Sequence, residues 1–108
     1  MKTQQIICNI LHNAFKYCGT GTTIYFYALI TDGALKFYVT SYGMTIPREK
    51  RKLIFEPYQT LEKGKASVGL GLYLCKKYTE LLDGMISVFS RNGITKFNVS
   101  LPVTMKNQ

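Results

Sequence analysis

The chain has 108 residues, 46% hydrophobic and 19% charged, which is the size and make-up of one soluble globular domain. Fourteen Lys and Arg against six Asp and Glu leave a net charge of +8. That suits nucleotide phosphates, nucleic acid or an acidic protein face, without choosing among them. No apolar run approaches the roughly 18 residues of a membrane span, and the opening MKTQQIICNILHNAF is too polar for a signal peptide. Cys8, Cys18 and Cys75 include no CxxC pair, and there is one histidine, so a zinc site is disfavoured. The cysteines read as reduced, mostly buried thiols of a cytosolic protein.

Residues 3–17 predict a helix, with Ile6, Ile7, Ile10, Leu11, Ala14 and Phe15 as its apolar stripe. Asn9 and Asn13 lie four apart on one face, and Lys16 joins them. An amide oxygen can ligate a hard cation and a lysine can meet a phosphate, although a wet polar face explains the same residues. Cys18 to Gly21 reads as a loop. Thr22–Ile30 and Ala34–Thr40, joined by Asp32-Gly33, predict an antiparallel hairpin. Ser41–Pro47 reads as a loop, Arg48–Ile54 as a short basic helix started near Pro47, and 59–66 as a polar, mobile loop.

The stretch SVGLGLYLCKKYTELLDG, Ser67 to Gly84, is a glycine bend feeding a helix. Leu70, Tyr73, Leu74, Tyr78 and Leu81 form its expected apolar face, and Gly84 is the expected left-handed stop. Backbone N–H groups at such a bend, with the helix dipole, favour an anion, and the missing Cβ lets a phosphate come close. A glycine-punctuated helix entry with no ligand reads equally well from this stretch alone. Two further strands, Gly84–Ser90 and Ile94–Leu101, flank an Asn92-Gly93 turn, and residues 104–108 read as a tail. The order of elements predicts an α+β fold, a two-layer α/β sandwich with helices on one face of a mixed, mostly antiparallel sheet.

Four blocks in order, ICNILHNAFKY (7–17), SYGMTIP (41–47), LIFEPY (53–58) and SVGLGLYLCKKY (67–78), resemble the N, G1, F and G2 boxes of sensor histidine kinases. The closing SRNGITKFNVSLP is similar to that family's usual end. The resemblance implies a Bergerat-fold, ATP-binding catalytic domain over 1–103, incomplete at its N-terminus. It implies Asn13 as magnesium ligand, with Asn9 in support, Lys16 on phosphate and Tyr17 beside the nucleotide. It also implies Ser41, Gly43 and Ile46 in the base pocket, Thr95 among the nucleotide-binding residues, and backbone N–H groups of Gly69, Leu70, Gly71 and Leu72 on the phosphates. Residues 59–66 become a short ATP lid, from which Lys63 and Lys65 could reach phosphate. ATP and Mg2+ are the implied cofactors. A histidine-bearing phosphotransfer and dimerisation domain and a response-regulator receiver are the implied partners. Neither nucleic acid nor direct membrane contact is expected, and the location is cytoplasmic, including the cytoplasmic part of a membrane receptor.

The chain departs from the family pattern at Ser41, where the family has Asp, and at Thr45, Ser67 and Ile94, where it has Gly. Taken as four changes in one pocket, these predict weakened or altered nucleotide binding. The alternative is a degenerate domain acting as a protein-interaction module. His12 lies inside the N box and is not the phosphoacceptor.

Overall fold

The computed structural model describes residues 2–57 and 71–103. The expected lid 59–66, together with Tyr58, Ser67, Gly69 and Leu70, therefore lies outside the described residues. Helix α1 spans Lys2–Tyr17, followed by strands β1 (Tyr25–Thr31) and β2 (Ala34–Tyr42). Two short 3-10 turns follow, Arg48–Lys50 and Leu53–Phe55, then helix α2 (Gly71–Leu81) and strands β3 (Met85–Arg91) and β4 (Ile94–Pro102). The strands form one sheet in the order β1-β2-β4-β3. The sequence leads to a mixed sheet; each pairing among the described strands is antiparallel.

Both hairpins close on two-residue turns with positive φ at both positions: Asp32 (53°) with Gly33 (74°), and Asn92 (51°) with Gly93 (79°). This is the turn whose twist matches that of the strands, so Asp-Gly and Asn-Gly set the register of each hairpin. The two hairpins join through β2 and β4, which pair along nine residues from Ala34↔Pro102 to Tyr42↔Ile94. The central strands alternate, with Phe37, Val39, Phe97, Val99 and Leu101 turned inward and buried. Against them lie Ile6, Ile10 and Ala14 of α1 and Leu72 and Cys75 of α2.

Several local expectations are corrected. On α1 the buried residues are Ile6, Ile10 and Ala14, at four-residue spacing, while Phe15 is 68% exposed because it stands about 100° further round the helix. On α2 the buried residues are Leu72, Cys75 and Thr79, and Leu81 is exposed. Of the more apolar set, Tyr73, Leu74 and Tyr78 are half-buried and Leu81 is exposed, so they are not the central stripe; Leu70 lies outside the described residues. Small Cys75 and Thr79 hold that place because α1 comes close: the Cys75 thiol donates to the Ile6 carbonyl at 3.5 Å, and the Thr79 hydroxyl to the Cys75 carbonyl at 2.6 Å.

The stop of α2 also differs. Asp83, not Gly84, takes positive φ (60°). Gly84 N–H donates to Thr79 O and Asp83 N–H to Glu80 O, the two bonds of a Schellman ending. Gly84 is needed for a different reason, since a Cβ there would run into the Ser100 carbonyl and Leu101. The basic helix over 48–54 is replaced by the two 3-10 turns. Pro47 precedes the first without a side-chain cap, and three-residue turns are all that so short a segment closes. Strand β1 begins at Tyr25 rather than Thr22, whose hydroxyl lies within hydrogen-bond distance of both the Gly19 and Tyr42 carbonyls. Of the cysteines, only Cys75 is buried; Cys8 is exposed and Cys18 intermediate.

Candidate nucleotide site

The end of β2 extends past the expected strand boundary, because β4 is long enough to pair with it. Ser41 pairs with Thr95 and Tyr42 with Ile94. Directly paired residues share a face, so Ser41 and Thr95 are neighbours on the helix side of the sheet. Both are largely buried, at 9% and 6% exposure. Above them the last turns of α1 supply Asn13 and Tyr17, four residues apart. With Met44 and Ile46 these residues line one small pocket of about 20 Å³. Hydroxyls and an amide make its polar part; Met44 and Ile46 make apolar walls.

The loop Gly43–Ile46 is fixed on two sides. Toward α1, Gly19 N–H donates to Tyr42 O at 2.7 Å and Met44 N–H to Tyr17 O at 3.4 Å. Gly43 has φ +148°, and a Cβ there would sit 2.5 Å from Gly19 N and 2.9 Å from Tyr17 O. Only glycine lets the two segments touch at this point. Toward the β3–β4 turn, Gly43 N–H donates to Gly93 O at 2.8 Å, and Gly93 N–H donates to Thr45 Oγ1. Deeper in, Ile46 N–H donates to Ser90 Oγ at 2.7 Å, Ser90 Oγ lies 2.8 Å from Thr95 Oγ1, and Thr95 Oγ1 donates to Met44 O at 3.2 Å.

The expected site residues separate into groups. Asn13, Tyr17, Ser41, Ile46 and Thr95 are brought together around the pocket, and Gly43 shapes the loop beside it. Lys16 lies with Nζ 5.2 Å from the Tyr17 ring centroid. Asn9 faces α2, where its side chain hydrogen-bonds the Cys75 thiol. Burial pushes that thiol from an ordinary 9.0 up to about 12, and the Asn9 contact opposes the rise. Gly71 opens α2 and is exposed, while Leu72 is buried in the core. Gly69 and Leu70 lie outside the described residues. His12 is on the exposed side of α1.

The expectation of four departures in one pocket is corrected. Ile94 neighbours Thr95 along β4 and so points to the opposite face of the sheet, paired with Tyr42. Thr45 binds the β3–β4 turn. Ser67 lies outside the described residues. Among the described departures only Ser41 lines the pocket. Sequence reasoning missed Met44 and Ser90. Met44 lies within SYGMTIP and could have been included; Ser90 meets Ile46 across 44 residues and left no local signal.

The profile of the family described as histidine kinase-, DNA gyrase B-, and HSP90-like ATPase matches residues 1–105. The chain belongs to that family. This ATPase-family domain is 32% identical over 108 residues to the sensor histidine kinase RcsC of Escherichia coli K12, covering 95% of the chain and 11% of RcsC. It is 38% identical over 104 residues to the adaptive-response sensory kinase SasA of Crocosphaera subtropica, covering 93% of the chain and 27% of SasA. Among solved structures it is similar to the catalytic domain of histidine kinase ThkA, with TM-score 0.81 and 27% identity, covering 94% of this chain and 66% of that one. The chain thus spans about a tenth to a quarter of the length of the curated kinases it matches. It is an ATP-binding domain of the sensor histidine kinase type, with the α+β Bergerat fold. Among the described residues no helix is long and apolar enough to cross a membrane.

Proposed function

We propose that this domain, over residues 1–103 with 104–108 as a tail, holds Mg-ATP for transfer of the γ-phosphoryl group to a histidine on a separate phosphotransfer and dimerisation domain. A receiver domain of a response regulator is the next acceptor, and the cytoplasm is where such a phosphorelay runs. In the transfer a histidine nitrogen bonds to Pγ, the Pγ–O bond to the leaving ADP breaks, and the imidazole proton is released. The supporting observation is the convergence of Asn13, Tyr17, Ser41 and Thr95 on one pocket between α1 and the paired ends of β2 and β4.

Each residue has a distinct task. Ser41 and Thr95 present oxygen to the polar edge of the base, and Ile46 and Met44 exclude water from its faces. Tyr17 flanks the base or ribose. Lys16, on the preceding α1 position, neutralises phosphate charge, and the backbone N–H groups of Gly69, Leu70, Gly71 and Leu72 cradle phosphate oxygens. Asn9, one turn earlier, is engaged with Cys75 and takes no part in this face. Catalysis of this class is mostly positioning and charge neutralisation, so these groups suffice without a covalent intermediate on the domain.

The residues also fit magnesium. Among the described residues no group of three His, Cys, Asp or Glu could hold a metal on its own. The Asn13 amide, which lines the pocket, would offer magnesium one protein oxygen beside the phosphates. Magnesium held there would offset phosphate charge.

Calorimetric titration tests the reading. Mg-ATP is expected to bind in the micromolar range, and Asn13→Ala to weaken Mg-ATP binding by tenfold or more while leaving the magnesium-free component less affected. Absence of heat with millimolar Mg-ATP, in a folded domain, would overturn it and leave the protein-interaction alternative.

A further inference from the structure

We propose that Ser90 is a positioning residue that sets the polarity of the base pocket, so that Thr95 meets the base only as a hydrogen-bond acceptor and a 6-aminopurine is selected over a 6-oxopurine. This inference rests on the nucleotide reading of the pocket and names a residue outside it.

One assignment of donors satisfies every bond in the chain. Ile46 N–H can only donate, so Ser90 Oγ accepts there at 2.7 Å. Met44 O can only accept, and in this assignment the single Thr95 hydroxyl hydrogen is given to it at 3.2 Å. Either hydroxyl could donate across the 2.8 Å contact between them; with the Thr95 hydrogen on Met44 O, Ser90 donates and its own buried hydrogen is satisfied. Every hydrogen in the series is committed. What Thr95 has left for the pocket is a lone pair.

Ser90 is held in this role. Its side chain is fully buried, at 0% exposure. Its backbone carbonyl accepts from Arg51 Nη2, which joins the segment between the two 3-10 turns to β3 at this same residue. Ser90 thus anchors the pocket loop through Ile46, orients Thr95, and is itself fixed by Arg51. Without its hydroxyl, Thr95 would keep only the longer bond to Met44 O, and its O–H could turn into the pocket and donate.

ATP and inosine triphosphate distinguish these states, because they differ at the purine 6-position in presenting an amino donor or an oxo acceptor. Calorimetry with magnesium is expected to show the unaltered domain preferring ATP by roughly tenfold, the scale of one hydrogen bond gained against one acceptor opposed by another. Ser90→Ala, with its fold checked by circular dichroism, should reduce the preference to about threefold or less. Thr95→Val should do the same, and Thr95→Ser should keep it. A ratio near one in the unaltered domain, or a folded Ser90→Ala with the full preference, overturns the inference. If Ser90→Ala fails to fold, Thr95→Val decides: retention of the full preference overturns it. Binding of neither nucleotide to the unaltered domain removes the nucleotide reading and this inference together; equal binding of both removes only the inference.

Discussion

Ser41 concentrates the chemical difference between this domain and its family pattern. Its side chain lies in the pocket, directly across from Thr95, where the family carries an aspartate. A carboxylate there would accept from a base amino group as a charged partner, a bond about 1.5–3 kcal/mol in strength where a neutral one gives about 1. Ser41→Asp should therefore tighten ATP binding by about tenfold. The same charge, nearly buried, carries a desolvation cost in the nucleotide-free domain. It should lower the melting temperature without ATP and narrow that deficit when ATP is added, as read by thermal denaturation. Unchanged affinity in a folded Ser41→Asp domain would show that position 41 does not face the base.

At the scale of elements, the close of α2 separates two glycine-like roles that the sequence presents as one. Asp83 holds the left-handed position, and Gly84 is where the chain passes against β4. Asp83→Gly should stabilise the fold by about 0.5–1 kcal/mol, because a Cβ at positive φ is removed. Gly84→Ala should destabilise it by about 2–3 kcal/mol, because the added methyl meets a backbone carbonyl that cannot move alone. Denaturant melts of the two variants should move in opposite directions; a common direction would refute this division. The turns were readable residue by residue, since Asp-Gly and Asn-Gly carry their own backbone preference. The boundary of β2 was not, because Ser41 and Tyr42 become strand only when β4 arrives beside them. The same limit applies to α2, where apolar character alone pointed to Leu81 and tertiary packing buried Cys75 and Thr79 instead.

For the molecule as a whole, the α1–α2 contact links stability to pH through Cys75. The folded thiol ionises only near 12, against an ordinary value of 9.0, so the unfolded chain loses this proton first. The protonated thiol's contribution is complete below pH 9 and is lost as the pH rises through that window. The slope reaches about 1.4 kcal/mol per pH unit for this one group. Other groups titrate there too, so the measurement is a difference: relative to Cys75→Ala, the unaltered domain should lose stability between pH 9 and 11. Parallel curves would exclude a role for Cys75. In the native domain Cys8 should react with iodoacetamide and Cys75 should not.

The sequence by itself determined the order of elements, both hairpin turns, the α+β class and the family, because each rests on short-range preferences or on residues that keep their spacing along the chain. The pocket was legible as a set of names: Asn13, Tyr17, Ser41, Ile46 and Thr95. Tertiary structure decided which of them meet, that Ile94 turns away from the pocket, and that Ser90 and Met44 belong to its support. Those outcomes depend on strand register and on contacts between residues dozens of positions apart. A one-residue change in pairing would send Thr95 to the other face of the sheet without altering a letter of the chain.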